Sequence, residues 1–354
     1  MSHVGHCWYM TQIGNPSEKS GPLKWQTRTL PAAGKSDVVV KVKACALNPI
    51  DFKIANGMFN PLIWPPFCPG VDFAGEVVDP GSNTGYTKGQ KIFGIAPHRT
   101  GLNFFMEKYG GALSEYVCVQ SWMTTPMPEK LSFEQAASLP GASGTALGAL
   151  DSSGAKEGQH FVVLGASGGV GTSAMQIFKH RGLHVTGVCS GKNVDYVKEL
   201  GADVVIDYEK GPWEDQIPEE LKQKIDCVMD ASPNGEVNWT AAQKVMRKGG
   251  IFFCMSGDDP DNVMTPFVMA KSFGKFLSRN VSGFRFRHLV AVGSQSGLKE
   301  IAKLVEEDVL KPGADNTIYK CADVHMAFEK IMSLHTRGKV VVSMNDGSMP
   351  SGSD

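Results

Sequence analysis

The spacing of hydrophobic positions changes near residue 129. Before it, short alternating or fully apolar runs such as DVVVKVKACAL (37–47) and FAGEVV (73–78) are separated by Gly/Pro clusters such as NPSEKSGP and DPGSNTG. That pattern predicts a mainly β region over residues 1–128. MPEKLSFEQAASLPGASGTALGAL then has helical apolar spacing, and beyond it short buried runs alternate with helices. FVVL (161–164), HVTGVC (184–189), VVIDY (204–208), IDCVMDAS (225–232) and IFFCMSG (251–257) read as strands, with MQIFKHRG, NVDYVKELGA and AAQKVMRKGG as helices between them. This βαβαβ order over 129–284 predicts an α/β domain with a doubly wound parallel sheet. From about residue 285 the chain adds two amphipathic helices, LKEIAKLVEED and DVHMAFEKIMSLH, and a last strand in GKVVVSM.

The first strand of the middle region runs into GASGGVG (165–171), followed by helical spacing. Strand, glycine turn and helix in that order are what a dinucleotide pyrophosphate requires. Ala166, Ser167, Gly168, Gly169, Val170 and Gly171 are therefore the expected phosphate-binding turn. Gly168 admits close backbone approach, Gly171 lets helix and strand pack closely, and the helix start presents unpaired N–H groups.

Some 20 residues on, the second strand ends in VCSGKN (188–193), where an NAD-binding chain usually carries an acid on the ribose. Cys189 stands there instead, and Ser190, Lys192 and Asn193 offer donors and one positive charge. A phosphorylated ribose suits them better than a bare one, so the expected cofactor is NADPH. Tyr208, at the end of the next strand, is expected against the adenine or the phosphate. The competing reading of Lys192 is an ordinary solvated lysine at a helix start.

Composition narrows the partners. The chain has 354 residues, 42% hydrophobic and 20% charged, with a formal net charge of -1. No global field attracts nucleic acid or anionic lipid, and no apolar run approaches the roughly 20 residues of a membrane span. The eight cysteines occur singly, without a CxxC pair, which argues for a reducing compartment. The N-terminus lacks a basic and apolar leader, so the expected location is cytoplasmic.

ALNPIDFKIANG (46–57), PGVDFAGEVV (69–78), GASGTAL (141–147), VLGASGGVG (163–171), ELGADVVIDY (199–208) and GKVVV (338–342) occur in this order. Together they resemble the medium-chain dehydrogenase/reductase superfamily over nearly the whole chain. Within it the chain looks most like the zinc-free quinone oxidoreductase branch, including the chloroplast-envelope quinone oxidoreductase homologues and alkenal/enone reductases. The resemblance implies a GroES-like substrate domain from 1–128 and 285–354, a Rossmann NADP-binding domain over 129–284, and an active-site cleft between them. It also suggests a homodimer paired through the segment FLSRNVSGFRF (276–286).

Zinc-dependent members of that superfamily place a cysteine where this chain has Asn48 and GHE where it has GVD (70–72). Val71 cannot ligate a metal, residues 79–117 contain no cysteine, and His98, His160 and Asp72 are scattered. The expectation is no metal. Without a Lewis acid, reduction of a conjugated alkene is easier than alcohol oxidation, because a developing enolate needs only donors or a cation. By resemblance, LNPIDFKI lines the nicotinamide side of the site. Asn48 is then an amide donor to a carbonyl or ribose hydroxyl, Lys53 stabilises enolate charge or binds cofactor, and Asp51 positions Lys53 or closes the helix start. Thr145 matches a threonine that relatives place near the nicotinamide half. Met255, Ser256 and Gly257 follow a late strand and are expected against the nicotinamide ring. Phe59, Trp64, Phe284 and Arg285 are expected to line an apolar substrate pocket with one cation; the competing reading of the aromatics is core. The expected activity is NADPH-dependent hydride transfer to an enone, enal or quinone. A trans-2-enoyl thioester reductase and a catalytically idle NADPH-binding or scaffold protein are the alternatives.

Overall fold

The computed structural model describes residues 2–350 except 31, 59–64, 97–109, 234, 256–276, 281–282, 289–293, 314–316, 346 and 348. The chain forms two compact units. One comprises Met1–Gly141, Gly293–Asp308 and Ala314–Asp354; the other comprises Ala142–Val292 and Val309–Gly313.

The first unit is mainly β, as the alternating runs require. Strands β1 (His3–Met10) and β2 (Leu23–Leu30) pair antiparallel. A seven-stranded sheet has the order β14-β15-β3-β4-β5-β7, with β6 also pairing β3. Its strands are β3 (Asp37–Leu47), β4 (Asp72–Asp79), β5 (Lys91–Ile95), β6 (Tyr116–Gln120), β7 (Thr124–Pro126), β14 (Thr317–Lys320) and β15 (Val340–Ser343). β3 is central and buried at nearly every position, so it reads as a continuous apolar run. The core beneath it joins Trp8, Phe73 and Val40 to Phe328 and Val342 from the far end of the chain.

The second unit holds a six-stranded, all-parallel sheet of order β10-β9-β8-β11-β12-β13. Its strands are β8 (His160–Leu164), β9 (His184–Cys189), β10 (Val204–Asp207), β11 (Ile225–Asp230), β12 (Met246–Cys254) and β13 (Arg285–His288). The chain leaves β8 for β9 on one side and later reaches β11 on the other, so the order reverses at β8. In sheets of this kind the nucleotide lies outside the carboxyl ends of the strands at that reversal. The fold is thus a GroES-like β domain and a Rossmann sheet. Both boundaries differ from the sequence expectation: the first unit runs on to Gly141 instead of ending at 128, and Arg285–His288 pairs in register with Ile251–Cys254 and extends the parallel sheet.

Candidate active site

In the first unit, sheet order brings three distant residues together. β3 runs antiparallel to β15 and to β4, so its end, Leu47, lies beside the start of β15 at Val340, while Ala46 faces the start of β4 at Asp72. Asn48, Lys339 and Asp72 therefore meet at one end of the sheet. Lys339 Nζ donates to Asn48 Oδ1 at 2.5 Å and to Asp72 Oδ2 at 3.1 Å, and Asn48 Nδ2 donates to Asp72 Oδ2 at 2.9 Å. Asp72 Oδ1 accepts the Gly141 N–H at 2.9 Å. Asp72 is fully buried and Lys339 nearly so. Burial raises the Asp72 pKa above the usual carboxylate value, and Lys339 and Asn48 pull against that rise.

Asn48 is also the residue before the short helix Pro49–Ala55, which opens with a proline as helices often do. Asp51, in its first turn, accepts the Asn48 N–H at 2.7 Å and the Gly70 N–H at 2.8 Å. It closes the helix start and ties down the PGVD turn. Gly70 has φ +95°, and a Cβ there would lie 2.6 Å from Cys45 Sγ, so only glycine fits. Lys53 lies on the same helix and is half-buried.

In the second unit, the glycine turn leaves β8 and enters the helix Gly169–His180. The Gly165 and Ala166 N–H groups both donate to Val188 O, at 3.1 and 3.0 Å, pinning the turn to β9. A Cβ on Gly171 would sit 2.2 Å from Gly165 O. Gly168 is the N-cap and supplies no side-chain acceptor to the first N–H groups of the helix. Gly168, Gly169 and Val170 are half-exposed beside them. Asn193 Nδ2 donates to Ser167 Oγ and Ser190 Oγ, each at 3.1 Å, and joins the first turn to the second. Lys192 is exposed.

Two carboxylates also stand at this strand end. β10 pairs with β9 so that Asp207 is level with Cys189. Glu209 Oε2 accepts the Gly191 N–H at 3.0 Å, and Asp207 Oδ1 accepts the Glu209 N–H at 3.0 Å. Burial first, then Asp207 and Glu209, push the Cys189 thiol up to about 11. Tyr208, between them in sequence, is 47% exposed, so its ring is available to a ligand.

Residues 34–129 match the family model of the alcohol dehydrogenase GroES-like domain, and residues 200–342 match that of the zinc-binding dehydrogenase. The chain is 30% identical over 329 residues to a chloroplastic quinone-oxidoreductase homolog of Spinacia oleracea, covering 90% of this chain and 93% of that one. It is 33% identical over 318 residues to 2-methylene-furan-3-one reductase of Solanum lycopersicum, covering 88% and 73%. The chain belongs to the medium-chain dehydrogenase/reductase superfamily, in its quinone oxidoreductase branch. The structure of the quinone oxidoreductase from Coxiella burnetii matches it with a TM-score of 0.79 and 28% identity, over 97% of this chain and 100% of that one. As a member of this superfamily it is an oxidoreductase.

One family model carries zinc in its description, and the described residues do not assemble a ligand set for that ion. Both oxygens of Asp72 already accept N–H donors, one of them the Lys339 ammonium, whose charge opposes a second cation there. His160 stacks on His184 with ring centroids 4.8 Å apart, at the start of β8 in the other unit. His98 lies outside the described residues. Among the described residues no group of three or more His, Cys, Asp or Glu is placed to hold a metal ion.

Other expected residues scatter. Thr145 is buried in the helix Pro140–Ser153. Met255 follows β12, and its N–H donates to Asp230 O at 3.2 Å, at the carboxyl ends of the strands. Ser256, Gly257, Phe59 and Trp64 lie outside the described residues. Phe284 and Arg285 need correction. Arg285 is level with Ile251 and, through Cys227, with Phe161, at the amino ends of the strands, whereas the glycine turn leaves the carboxyl end at Leu164. Phe284 packs edge-on to Trp239 at 6.1 Å, and Arg285 Nε donates to Gly249 O at 3.2 Å. They serve the sheet, not a pocket shared with the glycine turn. Lys339 and Glu209 were missed; the lysine of GKVVV and the acid of IDYE were the only signals for them.

Proposed function

We propose that this chain is an NADPH-dependent reductase that transfers hydride to an α,β-unsaturated carbonyl or a quinone without zinc. The observation that carries the reading is Asn48 held between Lys339 and Asp72, at a position where zinc-dependent relatives need metal ligands. An amide fixed at both ends cannot rotate, so Asn48 presents its second amide hydrogen in one direction, as a donor to a substrate oxygen. That oxygen gains negative charge as hydride reaches the β-carbon, and a preorganised donor strengthens as it does so. Asp72 stays acceptor to three N–H groups throughout and orients the amide. Lys53 adds a cation on the same helix.

A nicotinamide cofactor, when bound, supplies the hydride. The residues of the second unit suit it: the uncapped helix start at Gly168 meets a pyrophosphate, and Ser190, Lys192 and Asn193 meet the adenosine ribose and its 2′-phosphate. Thr145 and Met255 are assigned to the nicotinamide half. The spinach and tomato relatives, named for quinone and furanone chemistry, support conjugated acceptors over simple alcohols. The same reading includes a homodimer formed through FLSRNVSGFRF (276–286), which leads into β13, one of the two edge strands of its sheet among the described residues. It also keeps the cytoplasm as location, in accord with eight free, buried cysteines, although the spinach relative is named chloroplastic.

Stopped-flow absorbance of NADPH with a panel of alkenals, alkenones and quinones tests the assignment. NADPH oxidation with at least one class is expected; no oxidation with any of them at saturating protein contradicts it.

A further inference from the structure

The acid that VCSGKN lacks is supplied from the neighbouring strand. Parallel pairing puts Asp207 beside Cys189, and the 3-10 turn Tyr208–Lys210 then carries Glu209 across to the Gly191 N–H, which it accepts at 3.0 Å. The position is specified twice. Asp207 Oδ1 accepts the Glu209 N–H and fixes the turn, and a Cβ on Gly191 would lie 2.7 Å from Asp207 Oδ2 and 3.2 Å from Glu209 Oε2. Residue 191 must therefore be small for the two carboxylates to come this close. Lys192, the next residue, is exposed and opposes them in charge.

We propose that Glu209 sets the cofactor preference of this enzyme by holding, with its carboxylate, the backbone donor that a ribose 2′-phosphate would otherwise take. This rests on the reading of the strand end as the adenosine-ribose site. A 2′-phosphate carries about -1.5 to -2 charges near neutral pH, so Glu209 repels it and also competes for the Gly191 N–H. An unphosphorylated ribose offers hydroxyl donors that a carboxylate accepts. Lys192 favours NADPH and Glu209 favours NADH, and the preference of the enzyme is the balance between them. The chain therefore accepts both dinucleotides, with NADPH ahead by less than its lysine alone would give.

Fluorescence titration of the full chain with NADPH and with NADH measures the balance. Glu209→Gln keeps the side-chain length and removes the charge; it is expected to raise the NADPH/NADH affinity ratio about tenfold, mainly by tightening NADPH. Glu209→Lys should raise it further, and added salt should narrow the gap between wild type and either variant. An unchanged ratio in both variants, or equal losses for the two dinucleotides, overturns the proposal while leaving the reductase assignment standing. Failure of the wild-type chain to bind either dinucleotide overturns both.

Discussion

Two strand ends in this molecule carry charge in opposite ways. Where β3, β4 and β15 meet, Asp72 and Lys339 are buried and every oxygen of Asp72 has a donor. Where β9 and β10 meet, Lys192 and Glu209 are exposed, and the helix Gly169–His180 starts without a side-chain cap. A sealed network fixes the direction of one amide; an open one leaves donors for a ligand to take. The first is built for orientation and the second for occupancy, and substitutions should separate them.

The largest effect is expected at the sealed end. Lys339→Met leaves the Asp72 carboxylate buried without its cation and should lower stability by about 3–5 kcal/mol in chemical denaturation. The folded pKa of Asp72 is already above its ordinary value, so the folded chain holds a proton that the unfolded chain releases, and stability falls as pH rises through that interval. Without Lys339 the interval widens upward. The deficit of the variant should therefore shrink as pH falls, and a deficit that grows on acidification would show that the pair does not act this way.

At the open end the backbone is the sensitive element. Gly171→Ala forces a methyl group against Gly165 O and should cost roughly 1–3 kcal/mol in thermal or chemical unfolding, with a loss of dinucleotide affinity. A stable variant with normal affinity would mean that the turn has room it does not show. Lys192→Ala is the mildest: stability should change by less than about 0.5 kcal/mol, as for an exposed residue, while NADPH binding weakens roughly tenfold and NADH binding hardly changes. Equal weakening of both in a binding titration would remove Lys192 from the phosphate site.

The same contrast explains what was legible in the sequence. The glycine turn is local: FVVL, GASGGVG and the helix after it lie within 20 residues, and the backbone requirements of a phosphate turn are written in consecutive positions. Asn48 was legible through its motif, but its partners were not, because Asp72 and Lys339 are 267 positions apart and meet only through antiparallel pairing on both sides of β3. Glu209 is hidden in the sequence for a related reason. The second strand carries no acid at its own end, and the register of β10 delivers one from the side. Phe284 and Arg285 belong to an aromatic and cationic run with the composition of a pocket mouth, but Arg285 pairs with β12 and Phe284 packs on Trp239.

The central claim is that hydride reaches the β-carbon of a conjugated acceptor whose oxygen is held by the fixed amide of Asn48. NADPH deuterated at the transferred position of nicotinamide C4, incubated with the enzyme and an accepted alkenone, tests it most directly by mass spectrometry and NMR of the product. A saturated ketone carrying one deuterium at the β-carbon is expected. An allylic alcohol with deuterium on the carbinol carbon, or a product without deuterium, would contradict it.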